Sequence, residues 1–159
     1  MIKSSFDKLM TRLNRKEILK NAQQTPYLVR YIIYGKKSTS KQYRGRGLYI
    51  HKLINSDYQH THDYPWRWGR FILKGQFIEL VRNESDTTIK VNKVKCFQIL
   101  PLNSSRRANA HKIVNNKYVW MLFWHGKYKH HWGFWINNKK IYWREYKQLL
   151  KKNQGGFLI

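Results

Sequence analysis

His60-Thr-His-Asp-Tyr-Pro-Trp-Arg-Trp-Gly-Arg-Phe-Ile-Leu-Lys-Gly75 says more about fold than any other part of this 159-residue chain. His60, His62 and Tyr64 alternate, so on an extended strand their side chains point to one face, while Thr61 and Asp63 point to the other. Pro65 has no amide hydrogen to offer a neighbouring strand and ends the ladder. A further histidine, His111, stands far along the chain. Neutral imidazoles from two distant strands, with one position left open, suit Zn or non-haem Fe(II). Histidines are also common as structural residues on strands, so spacing alone leaves both readings open.

Outward from this segment the texture is β. Tyr27 to Tyr34 is rich in β-branched and aromatic residues and stops at Gly35. Further strands are predicted over 48–54, 68–74, 76–82, 88–100, 110–114, 118–125, 132–137 and 140–144. Gly75 separates two of them, and Asn137-Asn138 marks a hairpin turn. Many short strands at even spacing, with no helix between them, predict a barrel or sandwich. Helices are expected only at the ends. Residues 4–22 open on a capping-box-like Ser4 and Asp7, place Phe6, Leu9, Met10 and Leu13 at helical spacing, and stop before Thr25-Pro26. Residues 144–153 read as a short basic helix before Gly155-Gly156. The expected organisation is a basic amphipathic helix over 1–26, a barrel over 27–147 and a basic tail over 148–159.

Tyr64-Pro-Trp-Arg-Trp-Gly-Arg-Phe-Ile-Leu-Lys-Gly75 resembles the first motif of the cupin superfamily. In particular it is similar to a cupin-like family of bacteriophages and large DNA viruses, with the signature His-Asp-His-Pro-Trp followed by Ile-Leu-x-Gly. Arg107-Ala-Asn-Ala-His111-Lys resembles that family's later histidine strand. Trp120-Met-Leu-Phe-Trp-His-Gly126, Trp132-Gly-Phe-Trp135 and Trp143-Arg-Glu-Tyr146 resemble its aromatic closing segment. The resemblance covers roughly residues 47–147. It implies a mainly β fold, a small cupin-like double-stranded β-helix barrel, and a metal site inside it. Aligned on Pro65-Trp66, the family's two motif histidines fall on His62 and Tyr64, and its next carboxylate falls near Trp68, which cannot ligate. His60 could substitute only after a two-residue slip, about 7 Å along the strand. A tyrosine that ionises near pH 10 is a poor ligand for Zn or Fe(II). The resemblance therefore leaves His60, His62, Tyr64 and His111 as metal candidates in a degenerate site. No cofactor is expected; Fe or Zn are the candidates if the site is retained, in a metal-dependent oxygenase or isomerase using His60, His62 and His111.

Charge points elsewhere. The chain has 32 Lys and Arg against 8 Asp and Glu, a net charge of +24. That exceeds what solubility requires and calls for a polyanion to offset self-repulsion. Nucleic acid, DNA or RNA, is the first candidate and an anionic membrane surface the second. Residues 48–100 are nearly balanced, with 8 basic and 5 acidic side chains; residues 1–47 carry 12 and 2, and residues 101–159 carry 12 and 1. The candidate contacts are Lys36, Lys37, Arg44, Arg46, Arg106, Arg107, Lys127, Lys129, Lys139 and Lys140. Arg44-Gly-Arg46-Gly beside Tyr43 suits backbone tracking with base stacking. Five of the seven tryptophans lie between 120 and 143, interleaved with lysines and histidines; most are expected to pack inside.

Carboxylates are too scarce for elaborate acid–base machinery, and no Gly-rich phosphate loop or nucleophile elbow is present. Cys96, the one cysteine, is expected to be buried and inert, which fits a reducing compartment. Lys and Arg interrupt every apolar run before membrane-spanning length, and no secretory signal is evident, so a soluble intracellular protein is expected. The function expected is a strongly basic cupin-like protein that contacts nucleic acid, associated with a virion or viral factory. A ribosomal or other ribonucleoprotein subunit is the further alternative.

Overall fold

A computed structural model describes residues 15–21, 24–36, 45–56, 60–82, 88–101, 108–113 (backbone) and 118–152. Its strands are β1 (Lys16–Lys20), β2 (Pro26–Tyr34), β3 (Gly47–Leu53), β4 (Trp66–Lys74), β5 (Phe77–Arg82), β6 (Lys90–Val94), β7 (Ile99–Leu100), β8 (Ala108–Ile113), β9 (Val119–Tyr128), β10 (Gly133–Ile136) and β11 (Lys139–Tyr142). One helix, α1 (Trp143–Lys152), follows β11. Six strands form one sheet in the order β1-β2-β3-β9-β4-β7. Against it lie a three-stranded ladder, β6-β5-β8, and the β10-β11 hairpin. All the pairings are antiparallel.

Period-two burial builds the interior. Along β3, Gly47, Tyr49, His51 and Leu53 are buried while their neighbours are half-exposed, and Phe77, Glu79 and Val81 repeat the pattern on β5. The register aligns these inward residues into rows across the large sheet. Leu28, Leu53 and Val119 form one row; Arg30, His51, Met121 and Ile72 the next; then Ile32, Tyr49, Phe123 and Arg70; then Gly47, His125 and Trp68. One end of the barrel is therefore aliphatic, where Leu28, Leu53, Ile72, Val119 and Met121 meet Phe77 and Val94 of the opposing ladder. The other end is aromatic, with Tyr49, Trp68 and Phe123 at its centre.

The turn chemistry agrees with the sequence. Gly75, at φ +89°, carries the chain from the large sheet into β5, and a β-carbon there would lie 2.6 Å from the Tyr118 carbonyl oxygen. Asn137 and Asn138, at φ 45° and 64°, form the tight turn of the β10-β11 hairpin. Three expectations are corrected. Lys16–Lys20, the end of the predicted N-terminal helix, is a strand paired with β2. Its alternating burial turns Glu17 inward, and the helical apolar spacing stops at Leu13, so nothing in this stretch sustains a helical face. The predicted strand 88–100 is broken into β6 and β7 by a turn in which Phe97 takes φ 63°. Cys96 lies in that turn, half-buried, with Sγ 3.2 Å from the Leu73 carbonyl. The rest of the predicted helix, over 4–14, lies outside the described residues. No described helix is long and apolar enough to cross a membrane.

Gly75→Ala combines a left-handed backbone with a backbone clash. It should lower stability by about 1–3 kcal/mol in urea titration, with the slope of the transition unchanged.

Candidate functional site

The predicted histidine segment does not form one continuous strand. Residue 62 makes an isolated bridge to Phe134, held by Asp63 N–H donating to Gly133 O (3.2 Å) and Trp135 N–H donating to Thr61 O (2.9 Å). Without a regular ladder, His60 parts from the other two, while His62 and Tyr64 stay in ring contact. His60 turns to α1, where its Nδ1 lies 3.1 Å from the Tyr146 hydroxyl, and burial lowers its pKa. His62 is buried among Tyr64, Phe134 and Trp132, with ring centroids 5.3, 5.4 and 6.2 Å away. Tyr64 enters the aromatic end of the barrel, edge-on to Trp68 at 5.3 Å and 6.2 Å from Phe123. It serves there as a wall of the core. The expected convergence of His60, His62 and Tyr64 on one metal is thus not what the geometry shows. Backbone register sets His111, the fourth candidate, directly across from Glu79.

Asp63 is the anchor of this segment. Its carboxylate accepts hydrogen bonds from Gly133 N–H (2.7 Å), Lys140 Nζ (2.7 Å) and His130 Nε2 (3.2 Å). Lys140, expected to contact nucleic acid, places its ammonium on this buried carboxylate.

Sequence reasoning missed the charged interior of the barrel. Glu79 is fully buried, and Arg70 donates to both of its oxygens, Nη1 to Oε1 at 2.5 Å and Nη2 to Oε2 at 2.8 Å. The guanidinium lies 5.5 Å from the Trp68 ring and 5.1 Å from that of Phe77. A bidentate, ring-enclosed pair of this kind balances charge without water. One row away, Arg30 donates Nε to His51 Nε2 (3.1 Å) and Nη1 to Glu17 (3.3 Å). Accepting from Arg30 fixes the His51 proton on Nδ1.

Tyr49 and His125 complete the interior polar set, 3.0 Å apart from hydroxyl to Nε2. His125 Nδ1 lies 2.8 Å from the Gly126 carbonyl, which can only accept, so Nδ1 holds the proton and Nε2 accepts from Tyr49. Burial, aided by the Arg30 charge, lowers the His125 pKa to about 4. Trp66 stacks on the same imidazole at 4.2 Å. The missed signal was a charged or polar residue at an inward position of an apolar alternation: Tyr49 and His51 in β3, Glu79 in β5, Arg70 in β4.

Among the described residues the candidate donors do not converge on a metal site. Both Glu79 oxygens are held by a guanidinium, His60 faces Tyr146, and Tyr64 packs as a ring. Among the described residues no group of three His, Cys, Asp or Glu side chains could hold a metal ion.

Of the expected nucleic-acid contacts, Lys36, Arg46, Lys127, Lys129 and Lys139 are exposed. Lys37, Arg44, Arg106 and Arg107 lie outside the described residues.

No protein-family profile and no curated protein matches the sequence. Solved structures do match the fold. A cupin-2 domain protein from Rhodospirillum rubrum is similar at a TM-score of 0.55 and 10% identity, over 77% of this chain and 76% of that one. Ectoine synthase from P. lautus gives 0.50 and 8%, over 80% and 78%. Hydroxypropylphosphonic acid epoxidase from S. wedmorenis gives 0.51 and 9%, over 71% of this chain and 56% of that one. The chain thus spans little more than half the length of the epoxidase. At these identities the likeness is one of fold, and that fold is the cupin.

Two measurements check the interior. Arg70→Ala leaves a buried carboxylate unpaired and should cost about 3–5 kcal/mol in urea unfolding. Replacing both partners, Arg70→Met with Glu79→Leu, should recover most of that loss. His125 gives the pH dependence. Its folded pKa lies below the unfolded value of 6.5, so the unfolded chain takes up the proton first. Stability should be full above pH 6.5 and decline as pH falls toward about 4, by on the order of 3 kcal/mol. His125→Gln should flatten the decline between pH 6.5 and 5, where carboxylates contribute little.

Proposed function

We propose that this chain is a nucleic-acid-binding protein built on a cupin barrel, with its binding function on the outer surface. One observation carries the reading: among the described residues three of the four carboxylates are spent inside. Glu17, Asp63 and Glu79 are buried against Arg30, Lys140 and Arg70. Among the described residues Glu145 is the one exposed carboxylate, while exposed lysines and arginines run from Arg15 before β1 to Lys152 in α1. A surface of one sign at this density attracts a polyanion by releasing condensed counterions, without need of a base-specific pocket. The resemblance to phage and large-virus cupin-like proteins suggests packaging or coating of nucleic acid as the task.

A metal-dependent cupin enzyme is the second reading. It is favoured by the register that pairs His111 with Glu79 and by the fold shared with an epoxidase that has been solved with Fe(II). The Arg70–Glu79 pair weighs against it.

Fluorescence anisotropy with a labelled oligonucleotide, titrated with salt, tests the first reading. With 6–10 phosphates engaged, affinity should fall by roughly 10³–10⁵ between 50 and 200 mM salt, with little dependence on base sequence. No binding at 50 mM salt, or an affinity indifferent to salt, rejects it.

A further inference from the structure

We propose that the aromatic run from Trp132 to Tyr128 is a stacking platform for the bases of single-stranded nucleic acid. This rests on the nucleic-acid reading above and gives it a location. The largest buried rings fill the barrel, but these form a connected strip of half-buried and exposed side chains where β9, the β10-β11 hairpin and the start of α1 meet. Trp132 and Trp143 are nearly parallel, 9° between planes and 5.9 Å between centroids. Trp143 touches Tyr142 at 5.9 Å, Tyr142 touches His131 at 5.4 Å, and His131 touches Tyr128 at 6.2 Å.

The inner end of the strip is fixed. Trp132 packs against Phe134 and the buried His62, and the Trp143 N–H donates to the Trp132 carbonyl at 3.3 Å. At the other end the Tyr128 hydroxyl lies 3.0 Å from His131 Nδ1. Rings held from behind in this way lose little freedom when a base stacks on them.

Charge surrounds the strip on both sides. Arg144 and Lys147, both exposed, lie 5.4 and 5.0 Å from the Trp143 ring. Lys127 and Lys129 are exposed beside Tyr128. A cation resting on a half-buried indole at the surface can move to a phosphate as a base takes its place on the ring, so ring and cation serve the same nucleotide. Between β11 and α1 lies a cleft of about 310 Å³ whose charged lining is Lys139, Lys140 and Lys152 with Glu145, a net positive set.

Duplex offers no free base faces, yet it carries the higher charge density, so electrostatics alone favours duplex. Preference for the single strand therefore reports stacking. The test is anisotropy of the full chain with labelled oligo-dT, oligo-U and a duplex of equal length, with tryptophan quenching recorded in parallel. The single strands are expected to quench tryptophan and to bind more tightly than duplex. Trp143→Ala and Tyr142→Ala should each weaken single-strand binding by about tenfold, leaving duplex affinity and the salt slope unchanged. Trp143→Phe should restore most of the loss, and if Trp143→Ala does not fold, Tyr142→Ala decides. Oligo-dT against oligo-U distinguishes DNA from RNA as the ligand. Equal affinity for duplex and single strands, with both variants unchanged, overturns the platform and leaves the polyanion reading intact. No binding of any of the three at low salt overturns both.

Discussion

The Arg70–Glu79 pair is the constraint on which the barrel depends. Glu79 comes from β5 and Arg70 from β4, so the pair joins the two sheets across the interior. A carboxylate with no exposed surface cannot remain charged there without a partner that meets both oxygens. Arg70 does so with two short hydrogen bonds, enclosed by Trp68 and Phe77. The same guanidinium takes up the acceptor capacity a metal would need, and Tyr64 packs into the aromatic core nearby. The fold of this chain is carried by packing, while any reaction would rest on donors that remain free, and fold alone does not fix which.

This interior also bears on the exterior. With Glu17, Asp63 and Glu79 paired inside, the exposed lysines and arginines among the described residues have Glu145 as their one exposed counter-charge. The excess itself comes from the composition, 32 basic against 8 acidic residues, since each buried acid also takes one base with it. Asp63 shows how an acid is used locally: by holding Gly133 N–H and Lys140 it seats the β10-β11 hairpin on the histidine segment, and that hairpin carries Tyr142 of the aromatic strip.

The positions of strands along the chain were readable because alternation and turn residues are local signals. Gly75 and Asn137-Asn138 mark their turns in the sequence as in the structure, and β2 to β5 fall within two residues of the predicted runs. Pro65-Trp66 and Gly75 pointed to the correct fold through resemblance. The site was less legible. His60, His62 and Tyr64 alternate in sequence, but with a single bridge at residue 62 His60 turns to Tyr146 while His62 and Tyr64 pack against each other. Arg70 and Glu79 lie nine residues apart on strands of different sheets, a contact that no periodicity reports. Lys16–Lys20 was drawn into a helix by the apolar spacing before it, while the pull of Arg30 on Glu17 is a tertiary effect. Among the tryptophans, Trp120 is buried as expected, whereas Trp132 and Trp143 reach the surface because a hairpin and a helix end converge there.

Metal retention measures most directly whether the barrel centre is closed by its own ion pair. Full-length protein is incubated anaerobically with Fe(II) and, separately, with Zn(II), desalted, and its metal content determined. If Arg70 holds both oxygens of Glu79, neither ion stays at stoichiometric level, and Glu79→Gln behaves like wild type. One equivalent retained by wild type and lost in both Glu79→Gln and His111→Ala would contradict that closure and restore the barrel as a metal centre.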